Sequence, residues 1–172
     1  KANKFKAKNI HKTIISGISN LIKKNSFVGG KEILNFEKNF AKFTNSKYCI
    51  GLGNGTDALE IAIESLNLKK DSEVIVPTNT WISTAEAVTR SGLRVVFCDI
   101  SLKDYTIDID DLKKKISKKT SAIMVVHLFG YPANLKEIKK IAKKRKIKII
   151  EDCAQAHGSK IGNQHVGTFG DI

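Results

Sequence analysis

The sequence predicts an α/β fold built on a largely parallel sheet. The first observation is a regular alternation of strand and helix patterns between residues 48 and 151. The second is that the clearest strand, at residues 148–151, stops abruptly at polar groups, with Asp152 directly after it. Ligands of parallel sheets bind at the carboxyl ends of the strands, so we expect the functional site at that edge.

Two helices are predicted ahead of this alternation. Residues 10–22 carry one apolar stripe at helical spacing, despite Gly17: Ile10, Ile14, Ile15, Ile18, Leu21 and Ile22. A break at residues 26–30 precedes a second helix, whose apolar positions are Ile33, Phe36, Phe40 and Phe43. We therefore assign residues 1–30 to an N-terminal helix and loop, and residues 31–172 to a large α/β domain.

The remaining elements follow in alternation. Strands are predicted at residues 48–52, 73–76, 94–100, 121–128 and 148–151, and helices at residues 56–66, 80–91, 108–116 and 134–144. No internal repeat or low-complexity linker interrupts this pattern. With 172 residues, of which 41% are apolar, the chain can bury one core of about one domain.

The composition argues against nucleic-acid and membrane partners. The formal net charge is +13, but the lysines fall on the expected solvent faces of helices, without stacking aromatics or a recognition helix. No apolar run approaches the roughly 20 residues that span a bilayer, and no secretory leader opens the chain. Cys49, Cys98 and Cys153 are widely spaced and form no CxxC pair. We expect a cytoplasmic protein with reduced thiols.

A candidate phosphate site lies at residues 51–59, Gly-Leu-Gly-Asn-Gly-Thr-Asp-Ala-Leu. The alternating glycines, including Gly55, let the backbone approach a ligand. Thr56 and Asp57 open a helix whose first amides suit a phosphate. The Walker pattern is absent, and Thr56 stands where a dinucleotide fingerprint would have its third glycine. A plain glycine turn before a helix is the structural alternative.

Two further candidate residues are Trp81, which comes after the end of a predicted strand, and His127, which lies at the end of another. Trp81, the only tryptophan, could stack on a planar ligand, although a lone aromatic at a helix start more often fills a core. His127 is equally consistent with a ligand contact and with a core histidine. A metal site built from His127, Cys153 and His157 lacks the usual ligand spacing, so no metal is predicted.

Together these features suit a planar, phosphorylated nitrogen heterocycle. In pyridoxal phosphate the ring is an electron sink only while its nitrogen stays protonated, and a carboxylate such as Asp152 holds that proton. Gln155, three residues on, could hydrogen-bond the ring hydroxyl. A strand-end acid that merely caps the following turn is the alternative role for Asp152.

Motifs along the chain resemble those of the DegT/DnrJ/EryC1/StrS family of sugar aminotransferases. The matching segments are residues 54–59 (Asn-Gly-Thr-Asp-Ala-Leu), 77–81 (Pro-Thr-Asn-Thr-Trp), 127–130 (His-Leu-Phe-Gly), 151–158 (Glu-Asp-Cys-Ala-Gln-Ala-His-Gly) and 167–171 (Gly-Thr-Phe-Gly-Asp). The resemblance covers about residues 26–172, and the 151–158 segment is its most specific part.

This resemblance implies the aspartate-aminotransferase fold (pyridoxal-phosphate fold type I), with a mainly parallel, mixed sheet and helices on both faces. It implies an enzyme that converts a keto group of a nucleotide-linked sugar to an amine for polysaccharide or related glycan synthesis. Glutamate is the expected amino donor and a homodimer the expected assembly. By position, Gly55 and Thr56 contact the cofactor phosphate, Trp81 stacks on the ring, Asp152 pairs with the ring nitrogen and Gln155 lies near the ring oxygen. The role of His157 is left open.

The resemblance places the Schiff-base lysine shortly beyond Ile172, so no catalytic residue is assigned within the chain. We therefore expect a fragment, incomplete at its C-terminal end and inactive on its own. Sister enzymes that dehydrate sugars have His at the lysine position, which makes a pyridoxal-phosphate sugar dehydratase the nearest alternative. A nicotinamide-binding Rossmann domain would need GxGxxG and a ribose-binding acid, and both are missing. A basic binding module would leave Asp152 and Gln155 unexplained.

Overall fold

The helices and strands follow the predicted order closely. The computed structural model describes residues 4–172, with side chains from residue 10 onward, so the start of the unit predicted at residues 1–30 lies outside the described residues. The helices are α1 (Lys4–Lys23), α2 (Lys31–Thr44), α3 (Gly55–Ser65), α4 (Ser83–Arg90), α5 (Ile109–Lys115) and α6 (Leu135–Arg145). The strands are β1 (Glu73–Pro77), β2 (Arg94–Cys98), β3 (Thr120–Val126), β4 (Lys148–Asp152), β5 (Lys160–Ile161) and β6 (Gln164–His165).

The main sheet has the strand order β2-β1-β3-β4, and every neighbouring pair is parallel. The predicted sheet is mainly parallel but mixed, whereas these four strands are parallel throughout. The antiparallel pair β5-β6 forms a separate hairpin after β4. All four carboxyl ends of the main strands therefore meet at one edge of the sheet.

Two apolar layers hold helices against both faces of the sheet, as predicted. On one face, Ile63 of α3 and Val88 of α4 pack with Val74, Met124 and Ile150. The other face has its own set of buried residues: Leu112 of α5 and Ile138 of α6 pack with Ile75, Ile123 and Ile149. Successive residues of β4 thus contribute to opposite layers, because side chains alternate along a strand.

The strand predicted at residues 48–52 is wrong, since this segment has no strand conformation. Tyr48 and Ile50 are 73% and 76% exposed, and the Gly51 amide donates to Glu37 Oε1 of α2 at 2.7 Å. A β-strand needs a neighbour for its backbone groups, and in the described part of the chain the sheet consists of β1 to β4 alone. The apolar residues of this segment alone were therefore not sufficient to predict a strand.

Helices α1 and α2 leave much of their apolar stripes accessible. Ile14, Ile18 and Ile22 of α1 are each about half exposed, as are Phe36 and Phe43 of α2. None of the described helices is both long enough and apolar enough to cross a membrane. These stripes are therefore largely open to solvent, although Phe40 and Phe43 of α2 also pack against the rings of His157 and His165.

Candidate active site

A cavity of about 530 Å³ lies at the carboxyl edge of the sheet, where the starts of α3 and α4 face the end of β4. Gly55, Thr56, Trp81, Asp152 and Gln155 all line it. The structure therefore brings every residue predicted to bind the cofactor to one cavity, from segments that are far apart in the sequence.

The start of α3 is built as a capped helix terminus. Asn54 is extended and its Oδ1 accepts a hydrogen bond from the Asp57 amide at 3.0 Å. Asn54 Nδ2 in turn donates to Asp57 Oδ2 at 2.9 Å. The first amides of a helix have no intrahelical acceptor, so those of Gly55 and Thr56 are available to an anion. A Cβ added at Gly55 would meet nothing within 4 Å, so this residue leaves open space at the helix start.

Ser83, which was not predicted as a site residue, contributes a hydroxyl to this region. Its Oγ lies 2.8 Å from Thr56 Oγ1, and the Ser83 residue is 6% exposed. The contact joins the first turns of α3 and α4. A serine two residues after Trp81 was the available signal, but its burial and its partner 27 positions away cannot be recognised from the sequence.

Trp81 lies in the loop just before α4 and is 75% exposed beside the cavity. The core alternative considered for this residue is therefore wrong. A large apolar ring left open to solvent at a cavity rim is free to stack on a flat ligand.

Asp152 ends β4 and follows Ile150 on the face of the sheet that carries α3. Its Oδ1 accepts a hydrogen bond from the Ala154 amide at 3.0 Å, which fixes the carboxylate at the start of the turn. Among the described residues, no donor is bonded to Oδ2. The two roles considered for Asp152, capping the turn and binding a ligand, are therefore compatible. One oxygen caps the turn, and the other is free to accept a hydrogen bond from a ligand N–H.

Gln155 is oriented by the loop that follows β3. Its Oε1 accepts a hydrogen bond from the Phe129 amide at 2.7 Å. Phe129 has φ 55°, and Gly130 next to it has φ 83°, so this short turn runs through left-handed backbone. With its oxygen engaged, Gln155 keeps its amide nitrogen as a donor, which suits a phenolic oxygen acceptor.

His127 is not a contact of the cavity but a buried core residue. His127 Nε2 lies 3.0 Å from Glu151 Oε2, and both side chains are fully buried. Of the two alternatives considered for His127, a ligand contact and a core histidine, the structure shows the core histidine. His157 does line the cavity, where its ring also packs edge-on against Phe40 with centroids 6.0 Å apart.

His127, Glu151 and Cys153 place potential ligand atoms within 4.8 Å of one another. The histidine and the carboxylate already hydrogen-bond each other and nearby backbone amides. Burial, with the charges of Glu151 and Asp152, raises the pKa of the Cys153 thiol to about 12, so the thiol stays protonated at neutral pH. The hydrogen bonds of His127 and Glu151 and the protonated thiol of Cys153 account for the three residues as part of the protein core.

The residues that line the cavity include no lysine within the described part of the chain. The site thus offers amides, hydroxyls, a carboxylate, a carboxamide and an aromatic ring, but no amine. An arrangement of this kind can hold an anionic group, a flat ring and a ring N–H at once.

The chain is similar to known proteins over most of its length. A model of the DegT/DnrJ/EryC1/StrS aminotransferase family matches residues 8–172. A dTDP-3-amino-3,6-dideoxy-alpha-D-galactopyranose transaminase from Aneurinibacillus thermoaerophilus is 39% identical over 160 residues, covering 93% of this chain and 44% of that protein.

Two solved structures match the fold closely. The aminotransferase from Psychrobacter cryohalolentis superposes with a TM-score of 0.87 at 35% identity, covering 91% of this chain and 40% of that one. The E coli GDP-4-keto-6-deoxy-D-mannose-3-dehydratase, solved with bound hydrated PLP, gives 0.86 at 35% identity, covering 91% and 42%. These matches confirm the predicted fold type. The chain spans less than half the length of each of these relatives.

Proposed function

The chain belongs to the DegT/DnrJ/EryC1/StrS aminotransferase family, and from this premise we propose that it forms the cofactor-binding part of a pyridoxal-phosphate-dependent sugar aminotransferase. The proposed reaction converts a keto group of a nucleotide-linked sugar to an amine, with glutamate as the amino donor. The observation that carries the proposal is the convergence of Gly55, Thr56, Trp81, Asp152 and Gln155 on one cavity.

Each of these residues has a part that its geometry suits. The Gly55 and Thr56 amides, with the Thr56 hydroxyl, hold the phosphate at the start of α3. Trp81 covers one face of the ring, and the free Asp152 oxygen accepts the ring N–H. Gln155 donates to the ring oxygen. When bound, pyridoxal phosphate supplies the electron sink that lets a proton leave the carbon bearing the amine.

Asp152 has the central chemical role in this proposal. A carboxylate beside the ring nitrogen favours the protonated ring, because an opposite charge raises the pKa of the base that it contacts. Its turn-capping bond from Ala154 keeps the carboxylate in place, so little reorganisation accompanies the reaction.

The assembly and setting belong to the same proposal. The half-exposed apolar stripes of α1 and α2 are surfaces that a longer chain or a partner subunit would cover, and we propose a homodimer. We place the enzyme in the cytoplasm, whose reducing conditions suit its three widely spaced cysteines. The amine would feed the synthesis of a polysaccharide or related glycan.

The test is to incubate the full-length protein with pyridoxal phosphate, glutamate and a panel of nucleotide-linked keto-sugars, and to follow the products by mass spectrometry. Replacement of the keto oxygen by an amine is the expected result. Asp152→Asn serves as the inactive comparison, and Asp110→Asn, at an exposed position of α5, as the matched control.

A sugar dehydratase is the second candidate, because the similarity to the E coli 3-dehydratase covers 91% of this chain. The same assay separates the two activities, since dehydration removes the elements of water and leaves no amine on the sugar. Loss of a hydroxyl without gain of nitrogen would favour the dehydratase. Absence of either product across the panel, together with no uptake of cofactor, would contradict the proposal.

A further inference from the structure

Glu151 and Asp152 are adjacent acids that face opposite sides of the sheet. Ile150 belongs to the apolar layer beneath α3, and Ile149 to the layer beneath α6. Alternation along β4 therefore directs Asp152 toward α3 and the cavity, and Glu151 toward His127. A fully buried carboxylate beside the site needs partners of its own, because an unpaired buried charge is strongly unfavourable.

Glu151 has those partners in a segment much later in the chain. Its Oε1 accepts hydrogen bonds from the amides of Phe169 and Gly170, both at 2.6 Å. Its Oε2 accepts from the Gly167 amide at 2.9 Å and lies 3.0 Å from His127 Nε2. One side chain thus holds three backbone amides of the segment at residues 167–170.

The protonation of His127 follows from its other nitrogen. His127 Nδ1 accepts a hydrogen bond from the Ala133 amide at 3.0 Å, so Nδ1 carries no proton. Nε2 must then carry the proton and donate it to Glu151. The histidine is neutral, and it links the turn after β3 to the same carboxylate.

The segment that Glu151 holds continues along β4 to the cavity. The Asp171 amide donates to the Ile149 oxygen at 2.8 Å, and the Glu151 amide donates to the Ile172 oxygen at 2.9 Å. A Cβ added at Gly170 would lie 2.7 Å from the Ile149 oxygen, so only glycine permits this approach. Ile172 is itself part of the cavity lining.

We propose that Glu151 is a positioning residue, which with His127 anchors residues 167–170 and so fixes where the chain enters the cofactor cavity at Ile172. This proposal rests on the proposed function and on the family resemblance, which implies that the Schiff-base lysine follows shortly after Ile172. Asp152 would then set the electronics of the cofactor, and Glu151 would set the place of the nucleophile. The two roles fall on neighbouring residues because neighbours on a strand serve opposite faces.

The test uses the full-length protein, with hydrogen exchange resolved over residues 165–172. Glu151→Gln removes the charge and places an amide group against three N–H donors. We expect exchange of the Gly167, Phe169 and Gly170 amides to accelerate by at least about tenfold. Glu137→Gln is the matched control, because that carboxylate is exposed and accepts only from Lys140.

A kinetic comparison separates positioning from a general loss of structure. Binding is measured with 4-deoxypyridoxine 5′-phosphate, which has no aldehyde and so reports phosphate and ring contacts alone. We expect kcat of Glu151→Gln to fall at least about tenfold, while the Kd for this probe changes less than about threefold. An unchanged kcat, or an equal loss in kcat and probe affinity, would overturn the positioning role.

Two His127 variants keep the proposal testable if Glu151→Gln does not fold. Gln places an amide N–H near the position of Nε2 and keeps the donor to Glu151, whereas Asn keeps only an acceptor near Nδ1. We expect His127→Gln to retain slow exchange at residues 167–170, and His127→Asn to lose it. Equal exchange in both variants would overturn the anchor. A wild-type protein that binds no probe and shows no turnover would instead contradict the proposed function, while the exchange rates still decide the anchor.

Discussion

The two carboxylate oxygens of Asp152 have different roles in the proposed site. The oxygen bonded to the Ala154 amide holds the turn, and the other is open at the cavity. An uncharged amide can still accept from Ala154, but it cannot hold a proton on a ring nitrogen by charge. The residue therefore allows the structural and the chemical contribution to be separated by one isosteric change.

We predict that Asp152→Asn in the full-length enzyme lowers kcat by about a thousandfold, roughly 4 kcal/mol, with little change in thermal stability. Steady-state kinetics at saturating cofactor and a melting curve measure both quantities. The exposed Asp110→Asn should leave kcat unaltered. Near-normal turnover in Asp152→Asn would remove this residue from the chemistry.

The Thr56–Ser83 contact allows the role of the Thr56 hydroxyl in phosphate binding to be tested. If Ser83 donates to Thr56 Oγ1, the Thr56 hydroxyl proton is free for a phosphate oxygen. We predict that Thr56→Val weakens binding of pyridoxal phosphate by about tenfold, whereas Thr56→Ser, which keeps the hydroxyl, changes it little. Fluorescence titration of the two variants provides the measurement. Equal affinities for Val and Ser would show that the hydroxyl is not used.

The start of helix α3 combines a capped terminus at Asn54 with open space at Gly55. Neither a left-handed backbone nor a close protein neighbour explains why residue 55 is glycine. The remaining explanation is that glycine leaves room for a ligand at the first amides of the helix. We predict that Gly55→Val preserves the melting temperature to within a few degrees but lowers affinity for pyridoxal phosphate by at least about tenfold.

A crystal structure with the cofactor gives the direct geometric check for α3. The phosphate oxygens should lie about 2.7 to 3.2 Å from the Gly55 and Thr56 nitrogens. A phosphate held elsewhere in the cavity would contradict this role for the helix start. Gly92→Val, at a turn with φ 71° away from the cavity, is the opposite control, since strain there should lower stability and leave affinity alone.

Protonation of Glu151 in acid should weaken the contact between strand β4 and the segment at residues 167–172. Burial raises the pKa of Glu151, but His127 and the amides of Gly167, Gly170 and Phe169 outweigh burial and hold the pKa below its usual 4.5. A lowered folded-state pKa stabilises the native state above the unfolded value, and this stability is lost as pH falls through the folded pKa.

We therefore predict that the free energy of unfolding of the wild type declines below about pH 4.5, and that Glu151→Gln flattens this decline while lowering stability at pH 7. Urea unfolding of the full-length protein at several pH values measures it. Glu137→Gln should show a slope close to that of the wild type, because its carboxylate is exposed. An unchanged acid slope in Glu151→Gln would mean that other carboxylates carry the effect.

The elements that could be predicted are those whose signals are local. Helix stripes, the glycine turn before α3 and the polar end of β4 follow from short-range spacing, and each lies within a few residues of its predicted position. The strand at residues 48–52 was predicted wrongly because strand formation depends on a neighbour, which spacing does not reveal. Glu151 was overlooked for the same reason, since its partners come from residue 127 and from residues 167–170.

At the scale of the whole molecule, the sheet edge explains why distant motifs form one site. Parallel strands bring their carboxyl ends together, so Trp81 after β1 and Asp152 at the end of β4 both line the cavity at the start of α3. The approximate place of the site was therefore predictable from topology. The Thr56–Ser83 contact was not, because it depends on how α3 and α4 pack against each other.

The cavity also determines what residues 1–172 can do by themselves. Its lining supplies phosphate, ring and N–H contacts, but within the described residues no lysine amine reaches it. Lysines are numerous in the chain, and every lysine whose side chain the structure describes is exposed. Pyridoxal phosphate should therefore meet many amines outside the site and none inside it.

We predict that residues 1–172, incubated with pyridoxal phosphate and reduced with borohydride, show weak labelling scattered over surface lysines and no transaminase activity. The full-length protein should instead fix one equivalent on a single lysine, and Trp81→Ala in that protein should reduce the labelling. Peptide mapping by mass spectrometry distinguishes the two patterns. Stoichiometric fixation on one lysine within residues 1–172, together with activity, would show that the cofactor binds somewhere other than the cavity between α3, α4 and β4.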